Sequence, residues 1–313
     1  MEPELEDWFA RRTWQRPGWT VDELRAAKRG RTVSVVLPAL NEQDTVGAIV
    51  AAIVPLTLGA EPLVDELIVL DSGSTDATRT RAAAAGARVV GREQVLVDIE
   101  PVPGKGEVLW RSLAVTGGDL VVFLDSDLVD FDPGFVPALL GPLLTEPGVA
   151  LVKGFYRRPL RLETSELDTG GGRVTELLVR PLLAALRPEL SGVVQPLGGE
   201  YAATRDLLES VPFAPGYGVE IGLLLDTWSR HGLEALAQVN LGVRKHRNRS
   251  LLQLGVMARQ ILAAALHRGA LPDAGGAITQ FRQLEGEWLP TSSHVEVAER
   301  PPMREVLSRA AGE

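Results

Sequence analysis

Apolar residues run through the first half of the chain in short unbroken blocks, separated by stretches with helical spacing. Val33-Ser34-Val35-Val36-Leu37 is apolar and mostly β-branched, which predicts a strand that Pro38 stops. Val46, Ile49, Val50 and Ile53 follow at the spacing of one helix face. Leu67–Leu70 reads as a second buried strand, Asp71–Asp76 as a turn into an Ala/Arg-rich helix, and Ala87–Val90 as a third strand. A helix is expected over Gly106–Val115. The fourth strand, Leu120–Leu124, runs straight into Asp125-Ser126-Asp127. Strands apolar on both faces, with helices between them, predict an α/β fold: a mostly parallel central sheet covered by helices on both sides. Ligands in such sheets bind at the carboxyl ends of the strands. Asn41, Glu42, Asp71, Ser72, Asp125 and Asp127 fall there.

The rest of the chain is less regular. Residues 1–30 read as an irregular Trp-containing arm that ends in a short helix near Val21–Lys28. Later strands are expected at Val149–Lys153, Tyr201–Thr204 and Ala235–Val243, with helices at Arg173–Leu186, Val219–Ser229 and Leu251–Leu266. After Gly269 the periodicity is weak and Pro and Gly cluster. The organisation expected is an N-terminal arm (1–30), a nucleotide-sugar-binding half (31–130), an acceptor-binding half of the same domain (131–270) and a C-terminal tail (271–313).

Composition narrows the class. With 32 Lys+Arg against 41 Asp+Glu the net charge is -9, a poor match for nucleic acid or an anionic membrane. There is no cysteine, so disulfides and thiolate chemistry are excluded. The N-terminus is acidic and lacks an apolar core, and no apolar run is long enough to span a bilayer; a cytoplasmic protein is expected.

Asp125-Ser126-Asp127 at a strand end can hold Mg²⁺ or Mn²⁺ through hard oxygens, and the metal can bridge a diphosphate leaving group. The same residues would serve as a polar turn capping the next helix. They also fit the D-x-D-x-[TV] pattern of haloacid-dehalogenase-type phosphatases, but that motif follows the first strand of its domain, and here it follows the fourth. Pro103-Gly104-Lys105-Gly106 sets a lysine between glycines at a helix N-terminus, a setting for phosphate or simply a solvated loop. Gly170-Gly171-Gly172-Arg173-Val174-Thr175 opens a helix with backbone N–H groups, a guanidinium and a hydroxyl, which suits an anionic acceptor. In the basic run Arg244–Arg249, His246 is a candidate nitrogen ligand for a metal shared with Asp127.

Taken in order, Val36–Glu42, Val64–Asp76, Pro103–Glu107, Phe155–Leu160, Gly170–Leu177, Pro215–Gly222 and Val239–Arg249 resemble the glucosyl-3-phosphoglycerate synthase family. These are retaining glycosyltransferases of the GT-A fold. The resemblance spans roughly residues 14–280. It implies transfer of glucose from UDP-glucose, or GDP-glucose, to the 2-hydroxyl of 3-phosphoglycerate with Mg²⁺ or Mn²⁺ as cofactor. The product would feed methylglucose lipopolysaccharide or compatible-solute synthesis, and the enzyme would be a homodimer. A relative with the same scaffold, mannosyl-3-phosphoglycerate synthase, uses GDP-mannose and is the alternative. The resemblance also implies roles. Pro38, Leu40, Glu42, Ser72, Lys105, Asp125, Ser126, Leu197, Tyr217, Glu220 and Arg244 would surround the donor. Gly172, Arg173, Thr175 and Asn248 would bind the acceptor. Asp127 and His246 would hold the metal, and Asp127, Glu220 and Lys105 are the candidate catalytic residues.

Overall fold

The structure is a computed structural model that describes residues 2–157, 172–243 and 250–310. Its strands are β1 (Thr13–Trp14), β2 (Val33–Ala39), β3 (Glu66–Asp71), β4 (Arg88–Gly91), β5 (Leu120–Phe123), β6 (Leu151–Arg157), β7 (Tyr201–Thr204), β8 (Leu236–Val243), β9 (Ala277–Leu284) and β10 (Glu287–His294). Its α-helices are α1 (Pro3–Arg12), α2 (Val21–Lys28), α3 (Val46–Ile53), α4 (Thr78–Ala84), α5 (Lys105–Ser112), α6 (Phe135–Thr145), α7 (Arg180–Leu186), α8 (Arg205–Ser210), α9 (Val219–His231), α10 (Leu251–Arg268) and α11 (Met303–Ala310).

Eight strands form one sheet in the order β1-β8-β6-β7-β5-β2-β3-β4. All neighbours pair parallel except β7, which runs antiparallel to both β5 and β6. The expected mostly parallel α/β fold is therefore what forms. The continuous apolar runs hide a period of two: Val33, Val35 and Leu37 enter the core on one face, and Val36, Val121 and Phe123 that on the other.

Pro38 does not stop β2, which continues to Ala39 in register with Asp71 of β3. The ladder to β5 has already ended at Val36, so the missing N–H falls where that neighbour no longer pairs.

The N-terminal arm is not irregular. Leu5 and Trp8 share one helix face of α1 and are buried, and the indole N–H of Trp8 donates to the Leu236 carbonyl at 3.1 Å. Pro3 at the first helical position, Glu4 and Glu6 in the first turn, and Arg11 and Arg12 in the last all favour this helix. β1 then adds an edge strand parallel to β8. The tail also carries structure: β9 and β10 form a hairpin closed by Glu285-Gly286, both with positive φ, and α11 follows. A two-residue turn of this kind usually reads Asn-Gly or Asp-Gly, and Glu in place of Asn masks it in the sequence.

Candidate active site

The carboxyl ends of β2, β3 and β5 meet, and short polar contacts join their loops. Ser72 N–H donates to Ala39 O at 2.8 Å, and Asn41 N–H to Ser74 Oγ at 2.9 Å. Thr75 N–H donates to Asn41 Oδ1 at 2.9 Å, and Glu42 N–H to Thr78 Oγ1 at 2.8 Å. Asn41 is therefore no helix cap. It adopts φ 56, a left-handed conformation that Asn tolerates, and its amide holds the β3–α4 loop. Asp71 is fully buried and its Oδ2 accepts from Gly73 N–H and Ser74 N–H, each at 3.0 Å. Ser72 Oγ accepts from Arg92 at 3.3 Å. Pro38 is half-buried, and Leu40 stands exposed at the rim.

The turn after β5 is fixed by its middle residue. Ser126 Oγ donates to Pro38 O at 2.7 Å, and Ser126 O accepts from Thr45 Oγ1 at 2.6 Å. That anchoring leaves Asp125 and Asp127 partly exposed on either side of a buried serine. Asp125 Oδ1 meets Lys105 Nζ at 2.5 Å, and the same ammonium meets Glu220 Oε1 at 2.7 Å. Three residues, from the turn after β5, from α5 and from α9, thus form one ion-paired cluster. Burial opposes the Lys105 charge, but Asp125 and Glu220 outweigh it and hold its pKa well above the ordinary value.

The glycine beside the lysine has a packing role. A Cβ on Gly106 would stand 2.0 Å from Ala214 O, so only glycine lets the start of α5 lie against the segment leading into α9. That contact is what brings Lys105 to Glu220. Tyr217 sits on the same segment, with its N–H donating to Gln260 Oε1 at 3.1 Å. Leu197 is partly buried against the adjoining core.

Gly172, Arg173 and Thr175, which the family resemblance implies for the acceptor, lie where the chain enters α7. Thr175–Val179 form a π-turn, Thr175 is buried and Arg173 is exposed. The expected helix over Arg173–Leu186 is thus present, with a π-turn in its first part. Gly170, Gly171, Arg244, His246 and Asn248 lie outside the described residues.

Three buried groups beside the cluster were not legible as site residues: Lys153, Glu200 and Tyr201. Lys153 donates to Gly198 O at 2.6 Å, and its ammonium lies 4.6 Å from the Tyr201 ring centroid. The hydroxyl of Tyr201 is buried and finds no hydrogen-bond partner among the described residues. The available signal is a lysine after an apolar run, where a strand is expected to stop, whereas β6 runs on to Arg157.

Among the described residues no three His, Asp or Glu side chains gather into a metal cage. This donor set suits an ion such as Mg²⁺, which takes one or two carboxylates and completes its shell with substrate phosphates and water. Asp127 offers such a carboxylate at the open strand end.

A mostly parallel sheet with a D-x-D turn after β5, together with the comparisons that follow, places the chain among the GT-A glycosyltransferases. Residues 34–179 match the family described as "Glycosyl transferase family 2". The glucosyl-3-phosphoglycerate synthase of Mycolicibacterium smegmatis is 63% identical over 302 residues, covering 96% of this chain and 99% of that one. Two crystal structures of the Mycobacterium tuberculosis enzyme superpose closely. One, with Mn²⁺, UDP-glucose and phosphoglyceric acid, has a TM-score of 0.85 and 60% identity over 94% of this chain and 98% of that one. The other, with Mg²⁺ and UDP, has a TM-score of 0.86 and 60% identity over 94% and 99%. The chain belongs to the glucosyl-3-phosphoglycerate synthase family. The family assignment decides between the transferase and phosphatase readings of Asp125-Ser126-Asp127 in favour of the transferase.

Proposed function

We propose that this chain transfers the glucosyl group of UDP-glucose to the 2-hydroxyl of 3-phosphoglycerate with retention of anomeric configuration. The observation that carries the reading is Lys105 locked between Asp125 and Glu220 at the strand ends, in a chain this similar to relatives crystallised with UDP-glucose and phosphoglyceric acid. The bond from the anomeric carbon to the diphosphate oxygen breaks, and a bond to the acceptor's 2-oxygen forms on the same face. The hydroxyl proton passes to a phosphate oxygen of the departing UDP. Lys105 stabilises the charge that develops there, and Glu220 binds sugar hydroxyls rather than attacking.

Pro38, Leu40, Glu42, Ser72 and Ser126 belong to the nucleotide side in this reading, with Asp125 toward the ribose. Leu197, Tyr217 and Arg244 flank the sugar and diphosphate. Gly172, Arg173, Thr175 and Asn248 take the acceptor. Asp127 and His246 would hold a divalent cation, which supplies charge neutralisation to the diphosphate. Residues 31–130 then serve the donor and 131–270 the acceptor. A homodimer is part of the reading, supported by the hairpin β9–β10, which exposes Phe281, Leu284, Trp288 and Leu289. Among the described residues no helix is long and apolar enough to cross a membrane, which agrees with a cytoplasmic enzyme. The test is turnover with 3-phosphoglycerate and Mg²⁺ using UDP-glucose, GDP-glucose or GDP-mannose in turn. Product with UDP-glucose supports the reading; product with GDP-mannose alone moves the chain to the mannosyl reaction.

A further inference from the structure

Lys153 lies in β6 and is only 3% exposed. Sheet register sets its surroundings. Lys153 pairs with Tyr201, which pairs with Phe123, which pairs with Val36, so these four side chains share one face. The Phe123 and Tyr201 rings pack 5.2 Å apart, and the Lys153 ammonium stands over the second ring. A lysine in such a row is expensive to bury, and among the described residues no carboxylate lies in hydrogen-bond contact with its ammonium. Its partner is the carbonyl of Gly198, at 2.6 Å.

That carbonyl belongs to the Leu197-Gly198-Gly199 segment, which presses on the site. A Cβ on Gly199 would stand 2.3 Å from Asp125 Oδ2, so this backbone is already in contact with the carboxylate that binds Lys105. Among the described residues the charged and titratable groups that act most on Lys153 are Glu220 from α9, Lys105 from α5, Glu200 just before β7, Tyr201 at its start, and Asp125 after β5. Among these described groups two lysines stand against three carboxylates.

We propose that Lys153 is a positioning residue of the donor site: it holds the Leu197–Gly199 segment against Asp125 through the Gly198 carbonyl, and its positive charge offsets the acidic excess around Lys105 and Glu220. The inference deepens the glucosyl-transfer reading and rests on it. Lys153 does not touch the leaving group; it acts through Gly198 and through the field at the cluster. Burial pulls its pKa down to about 8, against the attraction of Glu220, so the charge can be removed without leaving the range in which the protein is handled.

The test compares wild type, K153M and K153Q as full-length proteins. K153M keeps the length of the side chain without charge or donor; K153Q keeps a donor for Gly198 without charge. The expected result is a fall in kcat/KM for UDP-glucose of roughly 10–100-fold in K153M, with a smaller fall in K153Q. Wild-type kcat/KM declines as pH rises through about 8, where Lys153 loses its proton, and that decline is absent from both variants. Calorimetry with UDP and UDP-glucose gives a readout independent of the acceptor: both bind more weakly in the variants, because Asp125 and Lys105 lie on the nucleotide side, and the extra affinity contributed by the glucosyl group also shrinks. Wild-type kcat/KM in K153M, or a decline near pH 8 that survives in K153M and K153Q, would overturn the inference. An inactive wild type that still shows the glucosyl-dependent difference would reject the acceptor and leave the inference standing.

Discussion

Replacing Gly199 with alanine adds one carbon atom in contact with the cluster. Gly199 is not in the left-handed region, so its backbone accepts alanine, and the effect is steric. The new Cβ would lie 2.3 Å from Asp125 Oδ2, 2.7 Å from its Cγ and 2.8 Å from Oδ1. Relief to ordinary contact requires a shift of about 1 Å. The backbone side cannot readily give: Gly198 O is held by Lys153 at 2.6 Å, and Glu200 and Tyr201 are buried at the start of β7. Asp125 must therefore turn, and it loses the 2.5 Å contact with Lys105. A misplacement of about 1 Å at reacting groups costs on the order of 100-fold in rate, while overpacking costs about 1–3 kcal/mol of stability. G199A should accordingly lose about two orders of magnitude in kcat/KM for UDP-glucose, with a modest fall in melting temperature. G18A, whose Cβ meets nothing within 4 Å, is the control and should match wild type in both. Near-wild-type turnover in G199A would refute the claim that the Asp125–Lys105 contact organises the site.

Other outcomes follow from the same structure. K105M should lower kcat by roughly 10²–10³-fold, measured at saturating donor and acceptor, because the leaving diphosphate loses a preorganised cation. W8A should destabilise the fold by about 3–5 kcal/mol in denaturant titration, since Trp8 is buried and tied to Leu236. Lys153 carries its proton up to its ordinary value of 10.5 when unfolded but only to about 8 when folded, so the unfolded chain binds more protons between those values. Its burial penalty is full below pH 8 and is relieved as pH rises toward 10.5, and any melting-temperature advantage of K153M over wild type should narrow across that window.

The first half of the sheet, β2 to β5, is the part of the fold most legible in the sequence. β2, β3 and β5 are buried on both faces, so their apolar runs carry a strong local signal, and the polar residues after them mark strand ends whatever the details of packing. Asp125 is legible because it stands next to such an end, and Lys105 because it lies between glycines at a helix N-terminus. Glu220 could not be found by residue chemistry alone, since it lies in the first turn of α9 and reaches Lys105 only through the close packing of Gly106 on Ala214; it came from the family resemblance. Lys153 was missed because charge at the end of an apolar run reads as the end of a strand, whereas β6 continues to Arg157. α1 was missed although Leu5 and Trp8 lie three apart, because a 10-residue helix gains its stability from docking on β8 rather than from its own propensity.

The central claim is that this site moves glucose from a nucleotide diphosphate to 3-phosphoglycerate. The most direct measurement is mass-spectrometric detection of glucosyl-3-phosphoglycerate from UDP-glucose, 3-phosphoglycerate and Mg²⁺, run in parallel with EDTA and with K105M. Metal-dependent product that falls steeply in K105M is the result expected. Product that is indifferent to EDTA and to K105M, or no glucosylated product from any glucose donor, would contradict it.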